Sequence, residues 1–403
     1  MIPLIAWKNI LHRPLNAMLS WLLLTAGVAI IAILLLLQEQ MEQQMEKSIA
    51  GIDMVLGAKG SPLQLILSAV YHLDSPTGNI NYAEAQRWMK HPFVAEAIPL
   101  SYGDSYKGYS ILGTTQGYLE KYEAKMASGV TFQHDFEVVV GAGVAEKLRL
   151  MPNDTVLGTH GRSVQGETHE AHPYRVSGIL QPTGTVVDNL IISNLESVWA
   201  MHIEQEDGDS TAINMIVSAD STREITAVLI QFRAKMGFIL WPRMVAETTK
   251  MQCASPVIET NRLYSLFGIG IHGMQYVGWG IIFLAGLSVF IALFSTLKAR
   301  IYELALLRIL GGSRLQLAML VLLESIWLCL AGYVSGLMLS RVGLWLVAKS
   351  IEKEYHYSLN ILQFRWPQEI YLLLLTLAVG ILASIVPAWN AYRLNMAKTL
   401  AEK

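Results

Sequence analysis

Three histidines, His160, His169 and His172, share a polar stretch with Glu167 and Glu170. Two histidines three apart with carboxylates beside them are the residue types that hold zinc, so this stretch is a candidate metal site. Its glycines and its lack of periodicity equally describe a solvated loop. Gly57-Ala-Lys-Gly60 has the composition of a phosphate loop but not the spacing, and no Gly-x-x-x-x-Gly-Lys-Ser/Thr pattern occurs in the chain. Backbone amides are then not arrayed around a triphosphate, and the chain has no phosphate loop of its own to bind ATP. Neither Gly-x-Ser-x-Gly nor His-Glu-x-x-His occurs, so no enzyme chemistry is legible.

The remaining candidates lie in or beside apolar sequence. Glu324 sits about two and a half helical turns inside an apolar run that starts at Leu315. A carboxylate there is costly unless it faces protein or water. It either hydrogen-bonds a neighbouring helix or the N-terminal segment, or it reaches the headgroups from near the interface. Arg341, further along the same run, is long enough to snorkel. Gly332 and Gly336, with Ala331, Ser335 and Ser340, give small residues at four-residue spacing. That spacing permits close packing of helices, within the chain or across a dimer, although membrane helices also tolerate glycine without such a role. Arg300, Glu303, Leu304, Leu307 and Arg308 recur at helical spacing, and Gly311-Gly312 before Arg314 allows a sharp turn.

These residues must be positioned by a membrane protein. Hydrophobic residues make up 53% of the 403 positions and charged residues 15%, against roughly 25% in soluble domains. The deficit is concentrated in four runs, Leu15–Leu37, Val277–Leu297, Leu315–Val347 and Ile370–Trp389. Of these only the third carries charges, Glu324 and Arg341. The first run would extend roughly 34 Å as a helix, enough for a hydrocarbon core of roughly 30 Å. It is longer than the apolar core of a signal peptide and leads into a polar helix-forming stretch, Gln38–Lys47, so it reads as a retained anchor. Lys8 and Arg13 precede it, and Lys298, Arg300, Arg308 and Arg314 join the second and third runs. Arg393, Lys398 and Lys403 follow the fourth, which places both termini in the cytoplasm. A net charge of −2 offers no basic face to nucleic acid, and two cysteines, Cys253 and Cys329, make no disulfide framework.

Residues 38–276 lie outside on this topology. Met41, Met45, Ile49 and Ile52 continue the first run at three- and four-residue spacing, and Val257, Leu263, Phe267 and Ile271 lead into the second. Both read as stalk helices, or as ordinary helices of the domain. Between them, Phe136–Gly141, Tyr174–Leu180, Asn189–Ile192 and Ala212–Val217 read as strands. Val144–Leu150, Leu195–His202 and Thr222–Met236 read as helices. The fold class is therefore integral membrane: four transmembrane α-helices plus a large extracytoplasmic α/β (α+β) domain on helical stalks.

The stretch Ser295-Thr-Leu-Lys-Ala-Arg-Ile-Tyr-Glu-Leu-Ala-Leu-Leu-Arg-Ile-Leu-Gly-Gly-Ser-Arg314 continues through Leu323-Glu324-Ser325 to Gly332 and Gly336. It resembles the FtsX/MacB/LolE permeases of the type VII ABC transporters. Their pattern is a basic residue, Arg-x-x-Glu, an apolar stretch with Arg, a Gly-containing turn, and an apolar helix with an early Glu. The layout is similar too, as is the start with Trp7-Lys8-Asn9 and Arg13-Pro14, and Val138–Leu150 is the closest local match in the outer domain. The Gly-Ala-Lys-Gly-Ser-Pro run within Asp53–Ser68 departs from the commoner members and looks like a branch whose cargo is undefined, so no cargo is carried over.

The resemblance implies a permease that transmits the motion of a separate cytoplasmic ABC ATPase (mechanotransmission). It implies no cofactor in this chain, ATP and Mg on the partner, and a second permease copy or paralogue making a dimer. A periplasmic adaptor or substrate-binding protein would be a further partner. The domain plan is then a cytoplasmic amphipathic segment (1–14), a first span (15–37), stalks and outer domain (38–276) and a second span (277–297). A cytoplasmic coupling segment (298–314), a third span (315–347), a short outer loop (348–369), a fourth span (370–389) and a cytoplasmic tail (390–403) follow. Such a protein exports or extracts a peptide, a lipid or lipoprotein, or a small hydrophobic cargo. The alternatives are a non-transporting FtsX-like regulator of an outer partner and a zinc-linked handling protein.

Overall fold

The first apolar run is part of one long helix, α1 (Pro14–Ile49). The computed structural model describes residues 3, 6, 8, 9, 14–160, 173–206, 223–355 and 366–393. The chain divides into two units, Met1–Met41 with Phe267–Lys403 and Glu42–Leu266.

The second unit is a mixed sheet with helices on its faces. Its first half contains β1 (Met54–Ala58), α2 (Pro62–Ala69), β2 (Ile80–Asn81), α3 (Tyr82–Met89) and β3 (Val94–Tyr106). Next come β4 (Tyr109–Thr114), α4 (Gln116–Lys121), β5 (Met126–Gly129), β6 (Glu137–Val140), α5 (Ala142–Leu148), β7 (Thr155–Val156), β8 (Thr159–His160) and β9 (Tyr174–Leu180). The unit ends with β10 (Ile191–Asn194), α6 (Leu195–Glu206), β11 (Glu224–Ile225), β12 (Ala227–Phe232), α7 (Lys235–Thr248) and β13 (Met251–Ala254). The strand order is β13-β1-β12-β3-β4-β10-β6-β9-β5, with β7 on β9, β8 on β3, and β2 with β11 as a separate pair. β3 joins two halves: Val94–Leu100 pairs with β12, and Ser101–Tyr106 pairs with β4, with an irregularity between Tyr102 and Ser105.

Both faces of this sheet are covered. Along β1, Val55 enters one core with Leu65, Leu100 and Leu229, while Met54 and Leu56 enter another with Val228, Ile230 and Trp241. Alternation places successive side chains on opposite faces, so two covered faces require an unbroken apolar run. That corrects the reading of Thr222–Met236 as a helix. Ala227–Phe232 is a strand, because continuous apolarity buried on two sides carries no period to separate the two forms. The expected strand Ala212–Val217 lies outside the described residues.

The Gly-Ala-Lys-Gly-Ser-Pro segment has a local explanation. β1 ends at Ala58, Lys59-Gly60 turns, Ser61 caps α2 by accepting from the Gln64 amide, and Pro62 begins the helix. Pro costs nothing there because that N–H has no helical partner. A Cβ on Gly57 would run into Leu65, so the glycine lets α2 lie close on β1.

The first unit contains most of α1, together with most of α8 (Pro256–Ala299), α9 (Ile301–Ile309), α10 (Arg314–Tyr355) and α11 (Trp366–Tyr392). Among the described residues, four helical stretches are long and apolar enough to cross a membrane: Ala17–Ile49, Gly273–Ala299, Arg314–Lys349 and Trp366–Tyr392. α10 runs past Val347 to Tyr355, beyond the expected start of the outer loop. Leu24, Ala285, Val289, Val321, Cys329 and Ala388 bring all four together in one apolar core.

Candidate functional site

Between α8 and α10 the chain makes a short helix with a defined exit. Arg300 stands at the N-cap of α9, and Leu310 closes it. The Gly312 amide donates to the Leu307 carbonyl at 3.0 Å, and the Gly311 amide to the Arg308 carbonyl at 3.1 Å. This is the Schellman arrangement, which needs a left-handed residue after the cap, and Gly311 has φ +99°. A Cβ on Gly312 would stand 2.8 Å from the Leu307 carbonyl oxygen. Ser313 and Gln316 then start α10 reciprocally: the Gln316 amide donates to Ser313 Oγ at 3.2 Å, and the Ser313 amide to Gln316 Oε1 at 2.8 Å. Such a capping box leaves little slack between the two helices.

The faces of α9 differ from the sequence expectation in one respect. The helical spacing of Leu304 and Leu307 expects both on one apolar face. Leu304 is only 3% exposed and packs with Leu297, Leu317 and Val321, whereas Leu307 is 38% exposed. The uncovered apolar face consists of Tyr302, Leu306, Leu307, Ile309 and Leu310. Nε and Nη1 of Arg308 are buried with no hydrogen-bond partner among the described residues. Arg314 is the first residue of α10.

A polar network anchors the start of α9. Arg300 Nε donates to Glu303 Oε2 at 2.7 Å, and its Nη2 donates to Asn9 Oδ1 at 2.8 Å. Asn9 Nδ2 donates to Glu324 Oε1 at 2.7 Å, and Arg300 Nη1 lies 3.7 Å from the same oxygen. Glu324 is buried. Between the two readings of this carboxylate, the geometry favours the hydrogen bond to the N-terminal segment over the headgroups. Three distant stretches of sequence thus meet around one charge. Asn9 is the residue that sequence reasoning missed; its only signal was its place in the Trp-Lys-Asn start.

The small residues of α10 serve contacts within the chain. A Cβ on Gly332 would stand 2.7 Å from Leu24 Cβ, and one on Gly336 would meet Val28 at 2.7 Å and the Thr25 carbonyl oxygen at 3.0 Å. Thr25 and Ser335 hydroxyls hydrogen-bond at 2.7 Å, and Ser20 and Ser288 at 3.1 Å. Ser325 Oγ donates to the Gly380 carbonyl at 2.7 Å, joining α10 to α11. Arg341 does not snorkel. It pairs with Glu369 of α11, a buried carboxylate whose backbone carbonyl accepts from the Tyr333 hydroxyl at 2.9 Å. Gln368 donates to Glu39 in the same unit.

The candidate metal loop is mostly out of view. His160 ends β8, opposite Asp104 in the register with β3, and Asp104 is buried. His169 and His172 lie outside the described residues, and among the described residues no group of three or more metal-ligating side chains exists.

In the outer unit, hydroxyls hydrogen-bond the ends of the long helices. Tyr122 donates to the Ser48 carbonyl at 3.0 Å, Tyr71 and Thr260 hydroxyls hydrogen-bond at 2.7 Å, and Tyr264 donates to the Glu42 carbonyl at 3.3 Å. Tyr118, fully buried beside Tyr122, hydrogen-bonds His72 Nε2 at 2.8 Å. Burial pushes the Tyr71, Tyr118 and Tyr122 phenols above their ordinary value of 10.0.

Two family models match the chain. One, described as the MacB-like periplasmic core domain, covers residues 17–235, and the other, described as the FtsX-like permease C-terminal, covers residues 276–396. No curated protein matches. Among solved structures, the periplasmic region of MacB from Actinobacillus actinomycetemcomitans is similar at 11% identity and a TM-score of 0.36, covering 55% of this chain and 98% of that one. The extracellular domain of the noncanonic ABC-type transporter YknZ from Gram-positive bacteria is similar at 12% identity and a TM-score of 0.30, covering 50% and 99%. The first family model alone spans more than half of the chain, and the second takes in the helices that carry the Arg300–Glu324 network. The chain belongs to the FtsX/MacB family of ABC transporter permeases, multi-pass membrane proteins with an extracytoplasmic domain that work with a cytoplasmic ABC ATPase.

Proposed function

We propose that this chain is the permease subunit of an inner-membrane complex in which α9 receives the motion of a separate ATPase and passes it to α10 and the N-terminal segment. The supporting observation is the Asn9–Arg300–Glu303–Glu324 network behind a helix whose outward face is apolar. An apolar helix face flanked by charge fits a hydrophobic groove. The Schellman turn and capping box leave α9 unable to move without α10. α1 and α8 continue without a break from the membrane unit into the outer unit. ATP and Mg reside on the partner, both termini are cytoplasmic, and two permeases, identical or paralogous, act with two ATPases. ATP-driven closure then moves the helices as rigid bodies and rearranges the outer domains, where a peptide, lipid, lipoprotein or small hydrophobic cargo is handled for efflux or extraction, with or without a periplasmic adaptor.

Leu307→Asp and Glu303→Lys should abolish co-purification of the ATPase while the chain still inserts and melts normally. Recovery of the ATPase at wild-type levels with both variants would defeat the proposal. The family also includes the regulator reading, and stimulation of ATPase activity by added cargo in a reconstituted complex separates a transporter from it. The zinc reading retains the juxtaposition of His160 with buried Asp104; calorimetry with zinc on the full chain decides it, and no heat at micromolar metal ends it.

A further inference from the structure

One edge of the outer unit's sheet is β13. β13 pairs with β1 and, among the described residues, with no other strand. Natural edges are blunted by lysine, proline, a bulge or shortness; Met251-Gln-Cys-Ala254 has no lysine, proline or bulge, is four residues long, and has its Met251 amide donating to Thr249 Oγ1 at 3.0 Å. Alongside β13 runs a cavity of about 650 Å³ lined by Met251, Gln252 and Cys253 on one side and Ile239, Pro242, Arg243 and Ala246 on the other. The second set is spaced 3, 1 and 3 along α7, so it is one helix face. Lys59 and Gly60, at the turn between β1 and α2, also line it. The groove is therefore bounded by an open strand edge, a helix face and a cationic turn.

Its chemistry is selective. Lys59 and Arg243 are the charged residues lining it, and no carboxylate does. Arg243 pairs with Glu247 on the exposed side of α7, with both side chains mostly in solvent. Such a pair contributes little and exchanges readily for another anion. Gln252 Nε2 is buried with no hydrogen-bond partner among the described residues, a donor in want of an acceptor. Beside the groove, Met236, Ile239 and Leu240 are 58%, 68% and 41% exposed, with Phe238 between them at 37%. An exposed apolar run of this kind on a water-facing domain marks an interaction surface. Burial pushes the Cys253 thiol up to about 12, so it lines the groove as a neutral group, not a thiolate.

We propose that the groove between β13, α7 and the Lys59–Gly60 turn binds an extended acidic peptide segment of another protein by adding it as a strand to the open edge of the sheet. Main-chain hydrogen bonds to β13 would hold it, alternate apolar side chains would rest on Met236, Ile239 and Leu240, and carboxylates would meet Lys59 and Arg243. This goes beyond the coupling reading and does not depend on it, because the groove lies wholly within Glu42–Leu266.

The test uses the full-length chain in detergent, without ATPase or nucleotide, and the anisotropy of a fluorescein-labelled octapeptide alternating valine with glutamate. Saturable binding is expected, weakened about tenfold by Lys59→Glu and by Arg243→Glu. Both side chains are at the surface of the groove, and unchanged melting of the variants verifies the fold. Methylating alternate backbone amides of the peptide should remove binding, as should replacing its glutamates by lysines. No saturation at about 1 mM peptide, or binding indifferent to both charge reversals or to backbone methylation, overturns the proposal. So does a result in which phosphatidylglycerol vesicles, and not the peptide, bind in a manner that depends on Lys59 and Arg243. A failure here leaves ATPase co-purification untouched, so the two readings fall separately.

Discussion

Glu324 is tolerated inside the membrane unit because Asn9 and Arg300 both address its Oε1. Removing the carboxylate orphans Asn9 Nδ2 and takes the Glu324 charge from beside Arg300, which keeps Glu303 and Asn9 Oδ1. Glu324→Ala should therefore lower stability by about 1–3 kcal/mol, while Glu324→Gln, which can still accept from Asn9, should lose less. Thermal unfolding in detergent reads the difference, and equal melting of both variants with the wild type would show that the network contributes nothing. The outer-unit phenols make a pH prediction. Tyr71, Tyr118 and Tyr122 are raised by burial above 10.0. A group whose folded value exceeds its unfolded value contributes stability that is present below the unfolded value and lost as pH rises toward the folded one. The domain should weaken above pH 10, and its phenol absorbance should rise in a step that coincides with loss of circular dichroism. A smooth titration near pH 10 with intact dichroism would contradict this. Legibility at this scale was uneven. Glu324 stood out because a charge in an apolar run is conspicuous, but its partners lie 24 and 315 positions away, and nothing local marks Asn9.

Elements were legible where their signals are local. Gly311-Gly312 announced a turn, and the turn is a Schellman motif because only glycine adopts its left-handed position without strain. The capping box of Ser313 and Gln316 is equally local, since it joins residues three apart. The direction in which Leu304 points was not readable, since both it and Leu307 are leucines one turn apart. Contact between α1 and α10 rests on Gly332, Gly336 and the Thr25–Ser335 hydrogen bond. In a background without the native cysteines, Thr25→Cys with Ser335→Cys should cross-link readily on oxidation. Adding Gly336→Leu should suppress the cross-link, because its side chain would occupy the space of Val28. Undiminished cross-linking would show that the glycine is not what brings these helices together. β12 is the instructive failure: its Ala-Val-Leu-Ile core faces two buried layers, and the period that would have identified a strand is absent.

For the whole molecule, the proposed topology places α9 and the outer unit on opposite sides of the membrane. With the native cysteines replaced, Met151→Cys and Ile309→Cys report on it, since both positions are strongly exposed. An impermeant maleimide added to intact cells with a permeabilised outer envelope should label the first and not the second. Labelling of both, or of Ile309→Cys alone, would overturn the orientation. The sequence by itself determined the four spans and the division into membrane and outer parts, because hydropathy and the length needed to cross a bilayer are properties of consecutive residues. It also determined the turn at Gly311-Gly312 and the cap at Ser61-Pro62, which depend on a few neighbouring dihedrals. Only the tertiary structure decided that Glu324 meets Asn9 and Arg300, that Arg341 meets Glu369, and that Lys59 shares a groove with Arg243 and an open strand edge. Those pairings are set by how distant elements pack, and in a single sequence two side chains that meet in space leave no mark on each other.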